Sequence, residues 1–224
     1  MTRIIAEDVP RKAALEATMN RDAIAVALLV CLVVVAGSIT LSRNELYRKA
    51  YDLWSDTVRK SPAKARPHFN LGTIYERTNR LDAALSEYRI AVGIDPDYHE
   101  ARNNIANVYL KQGRVDDAFY AFQAAIAAKP EASSLSHDNL GFIFFSKGQY
   151  DDAIREYRTA LKLDPRSAAI RNNLGYVYLT LGRFDEAAQE FEAALERDPA
   201  LDVARQNLTI AVQRQQRITG GVKH

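Results

Sequence analysis

Asn173-Leu174-Gly175-Tyr176-Val177-Tyr178 opens a pattern that continues through Gly182-Arg183-Phe184-Asp185-Glu186-Ala187 and closes with Phe191, Ala194 and Pro199. Upstream of it the same pattern returns three times. The prolines Pro62, Pro96, Pro130, Pro165 and Pro199 are separated by 34, 34, 35 and 34 residues. The apolar residues Leu71, Ile105, Leu140, Leu174 and Leu208 are separated by 34, 35, 34 and 34. A fixed period of this length is the mark of a helical solenoid. The one extra residue falls around Glu131-Ala132-Ser133-Ser134.

Each unit reads as two helices. In the first, a small residue follows the apolar one (Gly72, Ala106, Gly141, Gly175), and an aromatic comes three residues later (Tyr75, Tyr109, Phe144, Tyr178). Then comes a turn, Asn79-Arg80, Gly113-Arg114, Gly148-Gln149 or Gly182-Arg183, with a residue suited to a left-handed helix cap. The second helix carries alanine at 84, 118, 153 and 187, an aromatic four residues on (Tyr88, Phe122, Tyr157, Phe191), and a second alanine at 91, 125, 160 and 194. Proline then ends it. Small residues at a helix crossing, with aromatics beside them, let short antiparallel helices pack tightly. Such a pair cannot bury its faces alone and must stack on the next.

These residues resemble the tetratricopeptide repeat over residues 65–201. The resemblance implies an all-α, right-handed superhelical solenoid of antiparallel helix pairs. Repeats are expected at 65–98, 99–132, 134–167 and 168–201, followed by a polar capping helix at 202–217 and a tail at 218–224. The chain departs from the family pattern at the position of its usual tryptophan, where His68, Arg102, His137 and Arg171 stand. Upstream, 44–62 matches the second half of a repeat, with Ala50, Trp54 and Pro62 in place.

Before the repeats, Ala23 to Leu41 runs for 19 residues without a charge. In a helix this run spans roughly 28 Å, close to the hydrocarbon thickness of a bilayer. The reading is a single transmembrane helix at 23–41 behind a charged tail at 1–22. The competing readings are a cleaved signal peptide, for which the run and its lead-in are long, and a buried helix of the solenoid. Positive charges lie on both sides of the run (Arg3, Arg11, Lys12, Arg21 before; Arg43, Arg48, Lys49 after), so the positive-inside comparison is close to a tie. The passage from Leu53 to Gly72 looks like the membrane-to-repeat junction of bacterial membrane proteins with carboxy-terminal tetratricopeptide arrays. Some of those carry a multi-span glycosyltransferase-like part. Here that part is absent, and the one apolar run gives the expectation of a single-pass inner-membrane protein; the likeness implies repeats on the non-cytoplasmic, periplasmic side. It also keeps open an accessory role in membrane glycosyltransferase or polysaccharide machinery.

Thirty basic against 28 acidic residues leave a net charge of +2, which gives no argument for nucleic acid. The single cysteine, Cys31, cannot form an intrachain disulfide. None of the four histidines has a second ligand at metal spacing, and no phosphate loop or nucleophile motif occurs. The acids Asp116-Asp117, Asp151-Asp152 and Asp185-Glu186 open second helices, where they favour the positive end of the helix dipole. No enzyme, cofactor or metal is expected.

A binding face remains. First helices of such solenoids line the concave side. Asparagine precedes the opening apolar residue every time, at Asn70, Asn104, Asn139, Asn173 and Asn207. A primary amide both donates and accepts, so a ladder of them can pair with a peptide backbone of any sequence. The ladder resembles that of the nucleocytoplasmic O-linked N-acetylglucosamine transferase repeats, where it holds extended peptides. Asn107, Phe142 and Tyr176 lie two residues after the opening position, with Phe145 and Leu179 five after it. This places an aromatic patch on the inner face of the later repeats, suited to a peptide segment or an amphipathic helix. The earlier repeats offer a polar wall of Arg66, Glu76, Arg77, Glu100, Asn103 and Lys111. A carboxylate clamp for chaperone tails is not matched, because Phe69, Thr73 and Asp138 occupy its positions. The expectation is a membrane-anchored scaffold that holds protein partners.

Overall fold

The computed structural model describes residues 44–220. The expected span at 23–41 and the tails at 1–22 and 221–224 lie outside them. No described helix is long and apolar enough to cross a membrane. The chain divides into two compact units at Leu53 and Trp54, and the repeats all belong to the second.

The described residues are helical. Helix α1 covers 44–60. Four antiparallel pairs follow: α2 (Ala65–Arg77) with α3 (Leu81–Ile94), and α4 (His99–Lys111) with α5 (Val115–Ala128). The third pair is α6 (Ser134–Ser146) with α7 (Tyr150–Leu163), and the fourth α8 (Ala168–Thr180) with α9 (Phe184–Arg197). A 3-10 turn at Pro130–Ala132 takes up the extra residue of the third period. The closing helix α10 (Asp202–Gly220) runs three residues past the expected end at 217.

Every turn within a pair is built alike. Gly113, Gly148 and Gly182 have φ of 73–74°, and Asn79 takes the same left-handed conformation at 59°. The next residue turns its N–H back to the carbonyl of the aromatic five residues earlier: Arg80 to Tyr75 at 2.8 Å, and Arg114 to Tyr109, Gln149 to Phe144 and Arg183 to Tyr178 at 2.9 Å. This is the Schellman closure, which satisfies carbonyls that the helix end would otherwise orphan. The arginine after the turn then lies over that same aromatic ring, at 4.5 Å for Arg80, 4.3 Å for Arg114 and 4.6 Å for Arg183.

Packing within a pair follows from the small residues. Ala84, Ala118, Ala153 and Ala187 are fully buried, as are Tyr88, Phe122 and Phe191, with Tyr157 nearly so. A Cβ added at Gly72, Gly141 or Gly175 would lie 2.8 Å from the ring of Tyr88, Tyr157 or Phe191. The glycines are therefore the floor on which the aromatics rest. Each fully buried aromatic of this kind contributes about 1.5–3 kcal/mol through area removed from water. Stacking continues from pair to pair: α3 packs on α4, α5 on α6 and α7 on α8. First helices also touch one another, α6 on α8 and α8 on α10, which puts them on the inner side of the stack.

The residues that replace the family's tryptophan have a job of their own. His68 Nε2 lies 3.0 Å from the Pro62 carbonyl, Arg102 Nε donates to the Pro96 carbonyl at 3.0 Å, and Arg171 Nη2 to that of Pro165 at 3.4 Å. Arg205 does the same at Pro199. Each ties the start of a first helix to the proline six residues back. His137 does not, because the inserted residue moves Pro130 out of this register. It pairs across its repeat with Glu156 at 2.7 Å, as His68 does with Glu87 at 2.6 Å and Arg171 with Glu190 at 3.2 Å.

Candidate functional site

The inner surface is built from the exposed faces of α2, α4, α6, α8 and α10. The asparagine column lies along it, half-buried. Four of its amides donate within the chain, so they are positioned but not wholly available. Asn104 Nδ2 donates to the Tyr88 hydroxyl at 3.2 Å, and Asn139 Nδ2 to Asn107 Oδ1 at 3.3 Å. Asn173 Nδ2 donates to Asp138 Oδ1 at 3.0 Å, and Asn207 Nδ2 to Asn172 Oδ1 at 3.1 Å. These bonds cross from one first helix to the preceding repeat. They hold the amides in fixed orientations, and a bound backbone would meet the capacity that each amide has left.

Phe142 and Tyr176 point away from the core, at 55% and 45% exposure, and Ile210 of α10 continues the row. Phe145 is half-buried and meets Tyr176 at a centroid distance of 5.6 Å, steeply inclined at 62°. Leu179 does not join the patch. It is buried in the core with Ala211, against Leu208 of α10, so the sequence reading of its side is corrected. The closing helix covers it, while Tyr176, one turn earlier, stays open.

At the other end of the groove the polar wall is tied together. Glu76 accepts from the Tyr88 hydroxyl at 2.7 Å and pairs with Lys111 at 2.6 Å. Burial, together with Glu76, pushes the Tyr88 phenol far above its ordinary range. A recess of about 260 Å³ opens beside Phe69, Asn103, Asn104, Leu135 and Ser136, where Ser136 donates to Asn103 Oδ1 at 3.1 Å.

Sequence reasoning assigned Asp138 only a negative part, as a mismatch to the carboxylate clamp. In the structure it sits in the middle of the groove. Its carboxylate accepts from Asn173, and burial raises its pKa above the usual carboxylate range, with the Asn173 bond opposing. Among the described residues it has no ion-pair partner, and no three His, Cys, Asp or Glu side chains gather as a metal site would require.

Stacked helix pairs with a half-open inner face define a helical-repeat interaction module, a scaffold for contacts with other proteins. Family models described as tetratricopeptide repeats match residues 77–113, 97–166 and 140–202, together more than half of the chain. The chain belongs to the tetratricopeptide repeat family. No curated protein sequence matches it significantly. Among solved structures it is similar to YrrB, described as a TPR protein with an unusual peptide-binding site. Identity is 23%, with a TM-score of 0.61, over 75% of this chain and 86% of that one. It is also similar to MamA, at 21% identity and a TM-score of 0.60 over 71% of this chain and 86% of that one. PilF of Pseudomonas aeruginosa matches at 20% identity and a TM-score of 0.62, over 68% and 69%. At these identities the likeness is one of fold.

Proposed function

We propose that this chain is a membrane-anchored scaffold whose inner groove holds a segment of a partner protein, extended or helical, within a membrane-associated complex. The observation that carries the reading is the Phe142 and Tyr176 pair, left open on the inner face of an otherwise well-packed stack. Large aromatics kept in water on a concave surface are an interaction feature, because burial against a partner recovers area that folding left exposed. The asparagine ladder adds hydrogen-bonding capacity beside them, held in register by its own cross-repeat bonds. The apolar run at 23–41 is the proposed anchor, and the likeness of the junction at 53–72 favours repeats on the non-cytoplasmic side. The peptide-binding description of YrrB supports a groove of this use.

The test is affinity purification of the full chain from detergent-solubilised membranes, with mass spectrometry, set beside two variants. Phe142→Ala with Tyr176→Ala removes the patch. Asn104→Ala, Asn139→Ala and Asn173→Ala together remove the ladder. Partners that copurify with the wild-type chain should be depleted in both variants while helical content is kept. Undiminished capture by both would refute the groove as the binding site.

A further inference from the structure

Five residues occupy the position two before the opening apolar residue of each first helix: Phe69, Asn103, Asp138, Asn172 and Gln206. Asp138 is the one acid among them. Its placement is unusual in three respects. It is half-buried on the groove side of α6. Among the described residues its carboxylate receives one amide donor, Asn173 at 3.0 Å, and no cation. His137, its neighbour in the chain, is engaged with Glu156, and Arg171, two residues before Asn173, with Glu190 and the Pro165 carbonyl. A carboxylate taken partly out of water without a counter-charge is costly, and burial accordingly raises its pKa. A core that needed only a hydrogen-bond acceptor here could use asparagine, as Asn172 is used one repeat later to receive Asn207.

The neighbours point to what the charge is for. Phe142 and Phe145 follow Asp138 along the same face of α6 at i+4 and i+7. Tyr176 stands three residues beyond Asn173 on α8, in edge contact with Phe145. A lone carboxylate with open aromatic faces one turn away is the combination that receives a cationic side chain: the acid forms the charge-assisted bond, and the rings take the cation's flank.

We propose that the groove is selective for a partner segment bearing an arginine or lysine, whose cationic head pairs with Asp138 while its stem and flanking residues lie over Phe142 and Tyr176. The inference rests on the groove being the binding site. It specifies the chemistry of the segment that enters: the charge preference is set by Asp138 of the third repeat, and the aromatic flank is shared with Tyr176 of the fourth.

The probe is a set of fluorescent eight-residue Ala/Ser peptides that differ only at a central position, carrying Arg, Lys, citrulline, Gln or Glu. Binding to the full chain in detergent is followed by fluorescence anisotropy. The expected order is Arg and Lys above citrulline and Gln, with Glu weakest. Asp138→Asn keeps the acceptor for Asn173 and should cut Arg-peptide affinity about tenfold or more, as loss of one partner of a half-buried ion pair does. Asp138→Lys should reverse the order in favour of Glu. Phe142→Ala with Tyr176→Ala should weaken every peptide together, which separates failure of the groove from failure of the charge preference. Binding that is lost in the aromatic variant, yet equal for Arg, citrulline and Glu, overturns the inference and leaves the groove standing. Peptide binding indifferent to both changes, or none at all, overturns both.

Discussion

The contact between Gly175 and Phe191 offers a stringent test of how the helix pairs are held. Phe191 is fully buried, and a Cβ at Gly175 would meet its ring atoms at 2.8, 2.9 and 3.2 Å. Ordinary carbon contacts lie at about 3.5–4.0 Å, so the ring or the helix must move by roughly half an ångström or more. Overpacking of this kind costs about 1–3 kcal/mol. Alanine also improves helix propensity over glycine by about 0.8–1.0 kcal/mol. Gly175→Ala alone should therefore destabilise by about 0–2 kcal/mol, a range too broad to decide anything. Phe191→Ala should cost about 3–5 kcal/mol. The double variant decides. With the ring removed, the new methyl has nothing to strike, and only the helix-propensity gain remains. Gly175→Ala should then stabilise the Phe191→Ala background by about 1 kcal/mol. The coupling between the two sites is thus about 1–3 kcal/mol, measured as shifts in urea midpoint at unchanged slope, followed by circular dichroism. Additivity within about 0.5 kcal/mol would refute the claim that this aromatic rests on the glycine.

Other expectations are simpler to state. Gly182→Ala places a Cβ in a backbone at φ +74° with no contact closer than the Phe184 ring at 4.0 Å, so it should cost about 1–2 kcal/mol through conformation alone, whereas Gly182→Asn should cost a few tenths, as Asn79 already does this work in the first repeat; equal midpoints for the two variants would contradict the account. Burial raises the Asp138 pKa in the folded chain, so the unfolded chain gives up that proton first and stability falls as pH rises through the ordinary carboxylate range into the raised one. Asp138→Asn should then melt higher than the wild-type chain at neutral pH, the difference closing below the ordinary carboxylate range; a variant less stable at neutral pH would show that the charge is compensated. His68→Ala leaves both the Pro62 carbonyl and the half-buried Glu87 without a partner and should cost about 1–3 kcal/mol, more than His137→Ala, whose ring meets Glu156 alone. Cysteine-accessibility labelling of the repeats in intact cells, then in permeabilised ones, tests the proposed non-cytoplasmic placement, and labelling only after permeabilisation of the inner membrane would reject it.

Sequence alone determined that the chain folds as stacked helix pairs of the tetratricopeptide type. These follow from period, and period survives because each repeat meets only its neighbours and must use the same small and aromatic residues to do so. Gly175 against Phe191 was legible before any coordinate, since spacing along two short helices forces the encounter. The proposed membrane span at 23–41 rests on the apolar run alone, which lies outside the described residues. What only the tertiary structure decided is how residues about one period apart share their polar groups. Asn139 with Asn107, Asn173 with Asp138 and Asn207 with Asn172 lie 32 to 35 residues apart, and no local pattern tells which hydrogen goes to which oxygen. The structure also separated Tyr176 from Leu179, three residues apart on one helix, because Leu179 joins the core cluster with Ala211 of α10 while Tyr176 stays exposed. Asp138 changed most: in the sequence it was the residue that spoiled a clamp, and in the fold it is a half-buried carboxylate with no ion-pair partner among the described residues. Whether a carboxylate is paired depends on which cations have been drawn elsewhere. Here Arg171 is drawn to Glu190 on a second helix, and the Asp138 carboxylate is left to accept from Asn173 on the groove side.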